Sequence, residues 1–489
     1  MVLAFTNYRA VWLFQTALLL LFIQIQSSLD DSASRTNWNL AWETFPATIV
    51  QAQTIGDVTA CVMDENECPT PVLAVGGMRS VTSCIVNDNG TLVDMSLMNR
   101  ILSYDQNTGT VTCQAGVTLK SLHTWLLEEH NREISFSPEI GDASVGSLAV
   151  TTSKDSSVNG PGTFRSLITS LRYVSHNGTI VSLDRELDDE AFQVFLCSFG
   201  MLGIVVEVQI ETREARQILT RVYARRGLSG ADEAYEIMKI AREKADNVFV
   251  TVAPHEGVLV AEERYQDLSQ RRFRSHILGF FKPLFISLIQ RAKFYTIQHG
   301  HPFSDKSLDL RLHDLGILDT IGKQFMYFLE VDIVHYRSVF TNLYEPLTLQ
   351  QERLDFTMYV YDIAENDETS QIEFIFKDTY NFAKEWHRKT GYAPKGFNIY
   401  FVNRSGNKPY GEFSGPPGVT FLMDPYENDP ESIEWRTFVE ALNVRQRNHR
   451  AKMSPTQSRF LTSADFQMPK ELVHERFLTP HYAKFVVDS

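Results

Sequence analysis

Apolar and polar positions alternate differently in four successive stretches of the chain. Near the start, VWLFQTALLLLFI (11–23) is almost wholly apolar, with Arg9 before it and the small polar run QIQSSLDDSAS after it. A cation, a short apolar run and small polar residues predict a secretory signal over 1–28. The alternative is an uncleaved anchor through 11–23, although a comfortable span takes about 20 apolar residues. From 38 to 213 short period-2 runs alternate with helical ones. TPVLAVGG predicts a buried strand that ends in a glycine turn, TLVDMSLMNRILSYD two short strands, and GTVTCQAGV a further strand. Thr118 caps a helix carrying Leu119, Leu122, Trp125 and Leu126 on one face. SLITSLRYVSHNGTIVSL predicts a hairpin, DDEAFQVFLCSFG a helix running into Gly200, and GIVVEVQIETR a closing strand.

A second α+β region follows at 214–445. ADEAYEIMKIAREKADNVFVTVAP predicts a helix and then a strand, while MYFLEVDIV, DFTMYVYDI and GFNIYFVN predict further strands. Residues 446–489 form a C-terminal segment. RRFRSHILGFFKPLFISLIQRAKFY (271–295) has basic ends around an aromatic middle. Three readings stand: a cap helix kinked at Pro283, an element for peripheral membrane contact, or the mouth for a greasy substrate.

Length agrees with more than one domain, since 489 residues exceed a single ordinary core. A net charge of −14 without a basic stripe excludes a nucleic-acid footprint. A secretory route gives two other features a use. Asn89, Asn177 and Asn403 each head a glycosylation sequon, and the first two are Asn-Gly pairs between apolar runs, which predicts exposed turn tips. The five cysteines are an odd count. Cys61 and Cys68, either side of a short acidic loop, are the candidate disulfide; Cys84, Cys113 and Cys197 sit in apolar segments as buried thiols.

Three glycine pairs carry the chemistry. Gly76-Gly77 end a strand, Gly141 and Gly146 flank DASV, and Gly200 and Gly203 flank ML. Turns of this kind present backbone N–H groups to an anion such as a pyrophosphate. No G-x-G-x-x-G opens a helix here, so this is not the usual dinucleotide fingerprint.

In this order the segments VGGMRSVTS, LVDMSLMNRIL, VTCQAGVTLKSL, GDASVGSLAVTT and SFGMLGIVVEV resemble the FAD-binding domain of the vanillyl-alcohol oxidase superfamily. The chain is most similar to its sugar-1,4-lactone (aldonolactone) oxidase branch, of the D-arabinono-1,4-lactone oxidase type. The resemblance implies an α+β fold: a two-subdomain PCMH-type FAD domain (38–213), a substrate cap (214–445) and a C-terminal segment returning to the flavin. It implies FAD as cofactor, a CH–OH substrate (a sugar lactone or, as second choice, a sterol-type alcohol), and oxygen or another electron acceptor. The different-class alternative is a degenerate flavin-binding protein. The resemblance places Gly76, Gly77, Met78, Arg79, Ser80, Val81 and Thr82 on one side of the pyrophosphate, and Gly141, Asp142, Ser144, Val145 and Gly146 on the other. Gly203 and Val205 fall near the adenine. YFLEVDIV makes Glu330 the pocket carboxylate, and HYAK near the chain's end makes His481 the base and Lys484 the charge-stabilising cation.

Two residues depart from the family pattern. Arg79 stands where the family has a histidine that often bonds the flavin, and Ser153-Lys154 replace a His-Gly pair. A guanidinium offers no usable lone pair, so the expectation is non-covalent FAD.

Overall fold

The computed structural model describes residues 34–136, 140–151, 153–158, 160, 162–266, 330–336, 355–364, 368–404, 418–427, 429–470 and 473–487. The signal and the 271–295 stretch lie outside them. Among the described residues no helix is long and apolar enough to cross a membrane.

The two larger sheets of the first domain form its frame. In the smaller, β1 (Thr48–Gln51) and β2 (Val72–Val75) both pair in parallel with β3 (Thr91–Asp94). Parallel neighbours need a crossover, and α1 (Ile55–Met63) supplies it between β1 and β2, started by a capping box of Thr54 with Asp57. Beyond it lies an antiparallel sheet formed by β4 (Ile101–Asp105), β5 (Thr110–Gln114), β6 (Ile168–Val174), β7 (Ile180–Asp184) and β8 (Ile204–Glu211). Its strand order is β7-β6-β8-β5-β4. Helix α2 (Leu119–His130) is capped by the Thr118 side chain as its sequence predicts, and its Leu119, Leu122 and Leu126 are fully buried. Helices α3 (Val145–Val150) and α4 (Asp189–Leu196) complete this core.

The Asn-Gly turns behave differently from one another. β6 and β7 pair as the expected hairpin, and Asn177 is exposed at its tip. Asn89 is also exposed, with φ of 61°, but no hairpin forms there. A 3-10 turn (Ser83–Ile85) precedes it, and β3 is held from both sides by parallel partners, which leaves no room for an antiparallel return.

The second domain is one large antiparallel sheet backed by helices. Its strands are β9 (Gln217–Arg226), β10 (Asn247–Ala253), β11 (Val258–Tyr265), β12 (Glu330–Tyr336), β13 (Asp355–Phe356), β14 (Tyr359–Ala364), β15 (Gly396–Arg404) and β16 (Gly418–Glu427). They run in the order β12-β9-β11-β10-β15-β16-β13, with β14 also on β16. One face packs on α5 (Ala231–Lys244), α6 (Glu368–Thr390) and α7 (Ile433–Asn448) through residues such as Tyr235, Phe376 and Phe438. Every residue of β10 and β11 is buried, which requires cover on the other face as well. That cover is the first domain, with the functional cavity between.

Candidate functional site

Strand β2 ends at Val75, and the chain turns through Gly76-Gly77 into the cavity wall. A Cβ on Gly76 would sit 2.1 Å from Ser144 Oγ, and one on Gly77 would sit 2.7 Å from the Asp142 carbonyl oxygen. Both contacts are far inside van der Waals distance, so glycine is required at both positions. The reason differs from the one the sequence suggests: the glycines let the two loops touch each other. Arg79 and Asp142 then join the loops by an ion pair. The backbone N–H groups of Gly77, Met78, Arg79 and Ser80 find no acceptor among the described residues, and all four residues line the cavity. Donors left in this way demand an anion or water.

Val81 and Thr82 do not line the cavity. Val81 is fully buried and its carbonyl accepts from Trp42 Nε1 and Arg459 Nη1, each at 3.0 Å. The Thr82 hydroxyl donates to the Pro455 carbonyl at 2.7 Å. Ser80 Oγ donates to the Thr456 carbonyl at 2.5 Å, which brings Thr456 and Gln457 of the C-terminal segment to the cavity. From the second loop Ser144 and Gly146 line it, while Gly141, Asp142 and Val145 stand behind. Gly203 and Val205 form a third wall.

The cap side comes from one face of the large sheet. Arg264 lies opposite Asn247, Phe249 opposite Tyr400, and Asn398 opposite Asp424, so alternate residues of β10, β11, β15 and β16 share that face. Phe249, Arg264, Asn398, Tyr400 and Asp424 all line the cavity. From the first domain, Ser153, Lys154 and Asp155 meet them. Lys154 forms an ion pair with Asp424, and its ammonium stands 4.7 Å from the centre of the Tyr400 ring. Arg264 donates Nε to Glu262 Oε1 at 2.8 Å and Nη1 to Asp155 Oδ1 at 3.2 Å. None of the cap residues was expected from the sequence. The available signal was a polar residue interrupting an apolar strand: Asn398 in GFNIYFV, Asp424 in TFLMDPY, Arg264 in LVAEERY.

The C-terminal motif is placed otherwise than expected. His481 lies off the cavity, with both ring nitrogens engaged: 2.8 Å from the Pro455 carbonyl and 2.8 Å from Ser83 Oγ. A carbonyl only accepts, so Nε2 carries the proton and Nδ1 accepts from Ser83. Burial, reinforced by Lys484, lowers the His481 pKa to about 4. Lys484 also lies off the cavity, its ammonium 4.7 Å from the Phe485 ring centre. Tyr482 is the member of the motif that lines the wall. The backbone of Glu330 begins β12, opposite Tyr223; its side chain lies outside the described residues.

Cys61 and Cys68 are free buried thiols close enough to interact, and burial raises the Cys61 pKa. The other cysteines are also buried. Asn403, the third sequon, lies within β15 with its N–H donated to the Ser157 carbonyl.

Residues 46–184 match the family described as FAD binding domain. L-gulonolactone oxidase of Mus musculus is 24% identical over 175 residues, 36% of this chain and 39% of the relative. L-gulono-1,4-lactone dehydrogenase of Mycobacterium tuberculosis is 29% identical over 181 residues, 36% and 40% of the two chains. The match thus spans about two fifths of these relatives' length. In fold, cholesterol oxidase from B. sterolicum superposes with a TM-score of 0.64 at 16% identity, covering 85% of this chain and 83% of that one. The fold is therefore the PCMH-type FAD-binding fold, and FAD is its cofactor. The unpaired N–H donors at Gly77–Ser80 fit the pyrophosphate of that cofactor.

Proposed function

We propose that the protein is an FAD-dependent oxidoreductase acting on a CH–OH carbon of a polyhydroxylated, sugar-lactone-like substrate. The observation that carries this reading is the cluster of polar side chains where the cap meets the first domain, Arg264, Asn398 and Asp424 from the one and Lys154 and Asp155 from the other. A hydroxyl-rich ring matches such groups. A sterol would leave the open Asp424 Oδ1 desolvated without a donor, at about 1–3 kcal/mol. Bound FAD supplies the two-electron acceptor. The chain's own part is to hold the pyrophosphate on the Gly77–Ser80 N–H groups and to close the wall with Phe249 and Tyr482.

FAD is held without a covalent bond, because the Arg79 guanidinium has no lone pair to give and is engaged with Asp142. The protein follows the secretory route, which the exposed Asn89 and Asn177 side chains suit. Anaerobic addition of L-gulono-1,4-lactone, L-galactono-1,4-lactone or cholesterol to the FAD-loaded protein tests the reading. Bleaching of the flavin absorbance by a lactone is expected. Bleaching by cholesterol alone would overturn the substrate class, and yellow colour that stays with acid-precipitated protein would overturn non-covalent binding.

A further inference from the structure

Lys154 and Asp424 meet where the two domains meet. Lys154 comes from the segment after α3 in the first domain; Asp424 comes from β16 in the cap. Both line the cavity, and their side chains keep only 8% and 4% of their surface exposed. One carboxylate oxygen of Asp424, Oδ2, is held by the Lys154 ammonium. The other, Oδ1, is buried without a hydrogen-bond partner among the described residues. A buried carboxylate oxygen left open in this way costs free energy unless a donor arrives. Asp424 lines the cavity, so a hydroxyl bound there is a candidate donor. Around the pair, Asn398 stands opposite Asp424 in the sheet, Tyr400 and Phe356 face the ammonium, and Met358 Sδ lies 3.3 Å from it.

We propose that Asp424 Oδ1 accepts the proton of the substrate hydroxyl, and that Lys154 fixes the carboxylate and orients that hydroxyl. The proposal rests on the cavity being the FAD and substrate site. The balance is simple. The C–H bond of the alcohol breaks and its electron pair leaves as hydride to FAD; the O–H bond breaks and its proton passes to Asp424; C=O forms. The alcohol is oxidised and FAD reduced, with no further reactant in this half-reaction. The assignment fills the place vacated by His481, whose two nitrogens are committed to Pro455 and Ser83.

Burial raises the Asp424 pKa, and Lys154 works against that rise. Among the described residues the other charged groups lining the cavity are Arg79 and Asp155 from the first domain and Arg264 from β11, the last paired with Glu262. The rate of proton acceptance therefore falls as pH drops through the Asp424 pKa.

Single-turnover bleaching of FAD-loaded Asp424→Asn and Lys154→Met, with the lactone that bleaches the wild type, tests this. Asp424→Asn keeps the volume but takes up no proton. Its bleaching should slow by about 10²–10⁴-fold and lose its acid limb, while the lactone-induced shift of the flavin spectrum persists. Lys154→Met should move the acid limb to higher pH. An Asp424→Asn rate equal to wild type, or a fall matched by loss of the spectral shift, overturns the proposal. Where Asp424→Asn does not hold FAD, an unmoved limb in Lys154→Met overturns it. A wild type bleached by no alcohol removes the function reading and this proposal with it. A bleached wild type with unaffected variants removes the proposal alone.

Discussion

His481 makes the fold sensitive to mild acid. Its side chain is buried, Nε2 donates to the Pro455 carbonyl, and Nδ1 accepts from Ser83 Oγ. Protonating Nδ1 would put a charge in a dry site, end the hydrogen bond donated by the Ser83 hydroxyl and set that charge against Lys484. The pKa accordingly drops from 6.5 to about 4. In the unfolded chain the ring titrates near its ordinary value. Below about pH 6.5 the unfolded chain therefore takes up a proton that the folded chain refuses, and stability falls with pH. The loss is complete below about pH 4, where both states are protonated. That drop from 6.5 to about 4 corresponds to ~3 kcal/mol of stability. His481→Gln keeps an N–H donor for Pro455 and cannot ionise. Urea unfolding of wild type and variant, followed by tryptophan fluorescence from pH 7.5 to 4, measures this. The variant should be the less stable at pH 7.5, and the gap should close or reverse towards pH 4. Carboxylates and other histidines titrate in both proteins and cancel in the difference. Parallel pH profiles would refute the reasoning.

Other outcomes follow from the same geometry. Gly76→Ala forces a Cβ to within 2.1 Å of Ser144 Oγ, so the two loops must part. The expected cost is about 1–3 kcal/mol, read as a lower melting temperature together with weaker FAD retention in dialysis. Lys484→Met should leave the flavin-bleaching rate unchanged, because the ammonium lies over Phe485 and off the cavity; slower bleaching with normal FAD content would return Lys484 to the site. Mild oxidant should crosslink Cys61 to Cys68, detected as a joined peptide in non-reducing maps; separate thiols after oxidation would mean the pair cannot reach bonding geometry.

The first domain was legible because its signals are local. Thr118 caps a helix within its own turn, and the glycine loops are contiguous words in the sequence. The outcome at Asn89 was not legible: an Asn-Gly pair predicts a hairpin only if the next strand returns antiparallel, and β3 is committed to parallel neighbours far away in sequence. The same limit applies to the site. Gly76 and Gly77 were identified, but their reason, contact with Ser144 and Asp142, depends on a second loop tens of residues on. Asn398, Tyr400, Asp424 and Arg264 converge through strand register, which no local pattern specifies. His481 and Tyr482 are adjacent in sequence, yet only the second lines the cavity. Which of two neighbours turns inward is decided by packing against Ser83 and Pro455.

The large sheet also separates two kinds of selection by a single residue step. In β11, Leu259, Ala261 and Tyr265 belong to the core under the helices, with Glu263 on the same face bonded by Tyr223 and Tyr265. Glu262 and Arg264 point the other way, towards the cavity and Asp155. The same comb runs through β15, where Ile399 and Phe401 are core and Asn398 and Tyr400 are cavity wall. Substitutions along these strands should therefore sort by parity. One set of positions governs whether the protein accumulates in a cell. The set between them sets the hydrogen-bonding character of the cavity wall, within the limit that the buried Arg264 must keep its Glu262 and Asp155 partners.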